Sequence, residues 1–170
     1  MNQEVEDIRD LSLTARLILA LINFEKFCLE NDLQSKSVSD LIAFLWKWPL
    51  IDGPDEFEPW IESAPALLHV ALGNDLPHEL KELLDERNIE EQRFRNIVEG
   101  LVEIIWGSFW GASEDLVSLE AFHKSFKSSR VEQLPPLTPF KFSRFRDNDG
   151  WGVKPSSSDV AYWSSIRPHA

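Results

Sequence analysis

The stretch NIVEGLVEIIWGSFWG, Asn96 to Gly111, constrains this chain more than any other. Wound as an α-helix, it spreads Ile97, Val98, Leu101, Val102, Ile104, Ile105, Trp106 and Phe109 over roughly 200° of its circumference, wider than the apolar stripe a surface helix needs. Such a helix is packed from two sides, so the pattern predicts the central helix of an all-α domain. The strip left over holds Asn96, Glu99, Gly100, Glu103, Gly107 and Trp110. Its two glycines leave a groove on an otherwise bulky helix, and close approach of another backbone is the usual use of such positions. We expect that groove to be filled from within, by the C-terminal segment or by the helix after Ser113. Trp110 would then lie under cover, with Glu99 or Glu103 opposite Arg144 or Arg146.

A second helix with two apolar faces is expected at Leu13 to Leu29, entered through Asp10 or Ser12 as cap. Cys28 lies on one of those faces and reads as a small buried hydrophobe rather than a nucleophile. SVSDLIAFLWKWPL begins with Ser37 and Asp40 at capping-box spacing and is stopped by Pro49. A short helix follows at IDGPDEFEPW, another at PALLHVALG with His69 as a hydrogen-bonded core residue, and an amphipathic one at Pro77 to Arg87. Asn88 is expected to cap the central helix and Gly111 to end it, while a long helix runs back antiparallel from Ser113 to about Ser128.

From Val131 the chain changes character. LPPLTPFKFSRFRDNDGWGVKP has no helical period but too many aromatic residues for a free tail, so it reads as an ordered strap. Ser156 and Asp159 cap a closing helix. The expected architecture is a single domain of 170 residues, large enough to bury roughly two thirds of its unfolded surface. It would be a bundle of about six to eight helices, with an acidic body at 1–130 and a basic, Pro- and aromatic-rich strap at 131–170.

Charge narrows the partners. The formal net charge is −12, and it divides unevenly: residues 1–121 hold 9 Lys and Arg against 25 Asp and Glu, residues 122–170 hold 8 against 4. A field of that sign repels nucleic acid and anionic membranes and speeds encounter with a basic protein. One cysteine excludes an internal disulfide framework, and neither a secretory leader nor an apolar run of spanning length is visible, which points to a soluble protein of the cytoplasm.

No glycine-rich phosphate loop, HExxH, GxSxG or cysteine-based zinc pattern is present, and no cofactor is expected. Glu120 and His123 form one Glu-x-x-His, which with Glu99 and Glu103 would make half of a helical di-metal site; the second Glu-x-x-His such sites use is missing. Two acidic patches remain as candidate partner-binding surfaces. In one, Asp52, Asp55 and Glu56 surround Trp60 as an apolar anchor; in the other, Asp75, Glu79, Glu82 and Glu86 share one outer helical edge. Either the helix dipole or plain solvation accounts for such carboxylates as well, but self-repelling charges become favourable when a basic partner covers them.

In size, acidity and helical content over its first 128 residues, with SLTARLILALINFEKFCLEND and FLWKWPLIDGPDEFEPW as its most distinctive stretches, the chain resembles the small helical immunity proteins of bacterial toxin systems. That resemblance implies a cytoplasmic protein that binds a toxin domain and blocks its active site or an essential surface, and it carries no residue roles. A general interaction or regulatory module, and a helical metal-binding enzyme using Glu99, Glu103, Glu120 and His123, are the alternatives.

Overall fold

A computed structural model describes residues 3–169. Nine α-helices account for the order among the described residues: α1 (Gln3–Asp10), α2 (Leu13–Glu30), α3 (Lys36–Trp46), α4 (Gly53–Glu62), α5 (Ala66–Ala71), α6 (His78–Glu86), α7 (Glu91–Trp106), α8 (Asp115–Ser129) and α9 (Ser157–Ser165). The all-α expectation holds. The count exceeds the expected range by one because α1, a short helix with only Val5 and Ile8 as apolar residues, precedes α2.

The innermost helix is α2 rather than α7. Every residue from Leu11 to Glu25 is buried, with α3, α7 and α8 packed around it. Ser12 caps it, its hydroxyl accepting the amide of Ala15 at 3.0 Å. Complete enclosure forces partners on the polar residues of α2. Thr14 accepts the indole N–H of Trp48 (3.1 Å), Asn23 donates to the Ser129 hydroxyl (3.0 Å), and Arg16 and Glu25 each find an opposite charge.

α7 and α8 run antiparallel, as the short connection predicted. At one end Arg93 donates to the carbonyls of Ser128 (2.8 Å) and Ser129 (2.9 Å), which the helix end would otherwise leave open. In the middle Ala121 and Ser125 of α8 lie against Gly100 of α7, and the Ser125 hydroxyl donates to the Ile97 carbonyl (2.9 Å). A Cβ on Gly100 would lie 2.6 Å from the Ala121 carbonyl oxygen, so α8 occupies this part of the expected groove.

Several boundaries differ from expectation, each for a local reason. Asn88 takes a left-handed backbone (φ 55°) that closes α6, which leaves Glu90 at the N-cap position of α7. Ser35 caps α3 in place of Ser37, accepting the Val38 amide at 3.2 Å. α7 ends at Trp106 with Gly107 as its C-cap, because Ser108 turns inward to accept the Glu114 amide (3.2 Å) and the chain bends towards α8.

Residues 131–155 contain no α-helix and lie across the N-terminal end of α2. Ser143 exchanges a hydroxyl contact with Ser12 at 2.6 Å and accepts its amide at 2.9 Å; Phe145 donates its amide to the Asp10 carbonyl at 2.9 Å. Gly152 crosses the same place with φ 80°, where an added Cβ would sit 2.6 Å from that of Ser12. Further on, Trp163 of α9 is fully buried, stacks on Phe140 at 5.1 Å and donates to the Pro139 carbonyl at 2.9 Å.

Candidate functional site

The two acidic patches differ once their partners are in view. At the start of α4, Asp52 faces Lys154 at 3.4 Å, and the Glu56 carboxylate accepts the Asp52 amide at 2.8 Å. Two of these three carboxylates therefore serve the helix start and the C-terminal segment, and Asp55 alone is exposed without a partner among the described residues. Trp60 corrects the sequence reading. It is 4% exposed, stacked on Phe44 at 4.4 Å and donating its indole N–H to the Phe44 carbonyl at 2.9 Å, so it anchors α4 to α3 and cannot anchor a partner. Its apolar companions Phe57 and Ala64, three and four positions away, carried that signal in the sequence.

On α6, Glu79, Glu82 and Glu86 are all exposed, Glu82 lying 3.1 Å from His78. Asp75 is exposed too, but it precedes the helix and so extends the edge from a loop. Glu79, Glu86 and Asp75 engage no group of their own chain among the described residues. His69, expected inside, is exposed: α5 turns Leu67, Leu68 and Val70 inward and His69 out.

Trp110 is the surface feature that sequence reasoning placed wrongly. It is 65% exposed, held edge-on by Trp106 (5.5 Å) and Phe109 (5.6 Å) and covered by nothing. The reason is the early end of α7: Trp110 stands on the turn between α7 and α8 instead of on the helix strip. Leu116 and Val117 in the first turn of α8 are exposed beside it in sequence. Glu103, Glu114 and Glu120 are exposed around the same end of the helix pair, and the Glu114 carboxylate lies 3.3 Å from where a Gly107 Cβ would be. The expected pairing of Glu99 or Glu103 with the C-terminal arginines does not form. Glu99 meets Lys124 of α8 at 2.9 Å, and Glu103 stays in solvent.

The four residues of the metal alternative are not drawn together. Lys124 takes Glu99, and among the described residues no group of three or more His, Cys, Asp or Glu is placed to hold an ion. Burial pushes the His123 imidazole below its ordinary value of 6.5, with Lys127 and Arg16 adding to the effect. Burial and the neighbouring Glu25 push the Cys28 thiol far above the usual range, which removes the thiolate a nucleophile needs.

One large cleft opens between the segment at 48–57, the turn at 108–113 and the C-terminal segment at 145–155, with a volume of about 960 Å³. Trp48, Phe57, Phe109 and Trp151 line it and touch one another, Phe109 and Trp151 in parallel at 5.5 Å. Asn148 and Asp149, on its wall, both adopt left-handed backbones (φ 51° and 53°). Among the described residues no helix is long and apolar enough to cross a membrane. Comparison with protein-family models, characterised proteins and solved structures finds no match to this chain.

Proposed function

We propose that the protein is a non-catalytic, acidic binding protein of the cytoplasm that takes a basic protein as partner, as an immunity protein takes a cationic toxin domain. The observation that carries this reading is Trp110, 65% exposed on the turn that joins α7 to α8, two helices that also expose Glu103, Glu114 and Glu120. An exposed tryptophan is the residue type that most often dominates an interface when a partner desolvates it. Carboxylates on these helices favour a partner presenting Arg or Lys, which can also lie over the indole face. The net charge of −12 then accelerates encounter over long range, with Asp75, Glu79, Glu82 and Glu86 on α6 contributing to the steering.

The reading is tested with any basic protein among the products of the genes next to this one, each such neighbour co-expressed with the chain and then measured by biolayer interferometry. Trp110→Ala should speed dissociation by about tenfold or more, the effect of losing an interface anchor worth roughly 2 kcal/mol. Reversing Glu79, Glu82 and Glu86 to Lys should instead slow association and flatten its dependence on salt. Rescue of growth from a neighbour's toxicity identifies immunity; binding without rescue identifies a regulatory module. If the wild-type chain binds no such neighbour, the immunity reading falls.

A further inference from the structure

The geometry points to a second site, in which two adjoining cavities bind a small ring-bearing phosphate of the nucleoside monophosphate class. The smaller cavity, about 300 Å³, is lined by Arg9, Asp10, Asp115, Arg144, Phe145 and Arg146. Three arginines gather here in a chain whose net charge is −12. None of the three meets a carboxylate within ion-pair distance among the described residues; Arg144 donates only to the Lys141 carbonyl, at 3.3 Å.

Beneath this cavity lies a fourth arginine. Arg16 is fully buried, its guanidinium 5.2 Å from the Phe145 ring, and it holds Asp115 at 2.6 Å. The carboxylate on the cavity wall is thus already neutralised from below, and cations outnumber carboxylates four to two. With Asp115 taken by Arg16, the three lining arginines share only the carboxylate of Asp10, and the excess positive charge raises the energy of the empty site. A phosphate, whose oxygens match the guanidinium fork, lowers it.

Phe145 and Arg146 also line the 960 Å³ cleft, so the two cavities meet at these residues. Beyond them the larger cleft offers the rings of Trp48, Phe57, Phe109 and Trp151, with Asp149 at its edge to accept from hydroxyl or amino groups. Aromatic walls suit a planar base, and carboxylates suit a sugar. Asn148 and Asp149, residue types that tolerate the left-handed region, turn the chain at this wall. A polynucleotide is a poor candidate, because each added phosphate meets the field of the acidic body; a single monophosphate brings its charge only to the arginines. Trp110 does not line either cavity, so this site and the protein-binding surface stand or fall separately.

The test titrates the full chain with AMP, GMP, CMP and UMP, following tryptophan fluorescence and calorimetric heat. The corresponding nucleosides, inorganic phosphate and a peptide ending in an aromatic residue serve as comparison probes. At least one nucleotide should bind saturably, and its nucleoside and free phosphate each at least about tenfold more weakly, the loss expected when charge-assisted hydrogen bonds or the stacked ring are removed. Arg144→Gln and Arg146→Gln, both at exposed positions, should weaken binding about tenfold each, whereas Lys127→Gln, an exposed cation elsewhere, should not. Absence of saturable binding to all four nucleotides at millimolar concentration overturns the proposal. So does phosphate binding as tightly as nucleotide, an equal effect of Lys127→Gln, or binding of the aromatic peptide in place of nucleotides.

Discussion

Arg167 grips both carboxylate oxygens of Glu25, each within 3.0 Å of its Nε, across 142 positions of sequence. The same guanidinium lies 5.0 Å over the Trp46 ring, so the residues after α9 are tied to the middle of α2 and to the end of α3. Glu25 is 9% exposed, and a carboxylate that deep depends on its partner. Arg167→Ala should therefore cost about 2–3 kcal/mol in urea unfolding, because it leaves a buried charge alone. Adding Glu25→Gln should recover part of the loss. If the two losses simply add, the pair is not coupled in this way.

Gly100 and Gly111 make a matched pair for a second test. In α7 the change Gly100→Ala gains helix propensity worth about 1 kcal/mol. It also places a methyl 2.6 Å from the Ala121 carbonyl oxygen and 2.8 Å from the Ser125 amide, both backbone atoms of α8 that cannot rotate aside. Overpacking of this kind costs about 3 kcal/mol, so the clash should win and Tm should fall. At Gly111 an added Cβ meets nothing within 4 Å, and Gly111→Ala should leave stability unchanged or raise it by about 0.5 kcal/mol. Equal thermal shifts in the two variants would mean that α8 does not sit on Gly100.

What could be read from the sequence, and what could not, follows the range of the interactions concerned. α2, expected at Leu13 to Leu29, was legible to within one residue because a cap and an apolar period are local properties. The close approach at Gly100 was legible because a glycine amid bulky residues has few other uses. Trp60 and Trp110 were read in reverse. Runs of carboxylate suggested that Trp60 faces water, although position 60 falls on the opposite side of α4 from Asp55, Glu58 and Glu62. Extending the helix of α7 through Gly107 put Trp110 on a strip that the real chain abandons there. The arginine cavity draws on residues near 10, 115 and 145, and no local pattern announces a meeting of three distant segments.

His123 should make the fold acid-sensitive in a defined window. Burial, then Lys127 and Arg16, hold its folded pKa below the ordinary 6.5, so the unfolded chain binds the proton more readily than the folded one. The stability tied to the neutral imidazole is complete above 6.5 and is lost as pH falls from there through the folded value. Urea midpoints of the wild type and His123→Gln should diverge between pH 7.5 and pH 5, with the wild type losing more. A constant difference across that range would show that the imidazole titrates alike in both states.

The contrast between Trp60 and Trp110 separates folding from binding on one chain. Removing the Trp60 side chain empties a site walled by Phe44, Trp48, Phe57 and Phe109 and leaves the Phe44 carbonyl without its indole donor. Trp60→Ala should cost about 4 kcal/mol, enough to lower the melting temperature by roughly 10 °C in a chain of this length. Trp110 keeps 65% of its surface in solvent, so Trp110→Ala should change stability by no more than about 0.5 kcal/mol. Acrylamide quenching provides the independent check: loss of Trp110 should remove the most accessible part of the emission, and loss of Trp60 should not. Should Trp110→Ala destabilise the fold as much as Trp60→Ala, the indole would be a packing element of the α7–α8 turn. The case for it as a partner's anchor would then have to rest on the carboxylates alone.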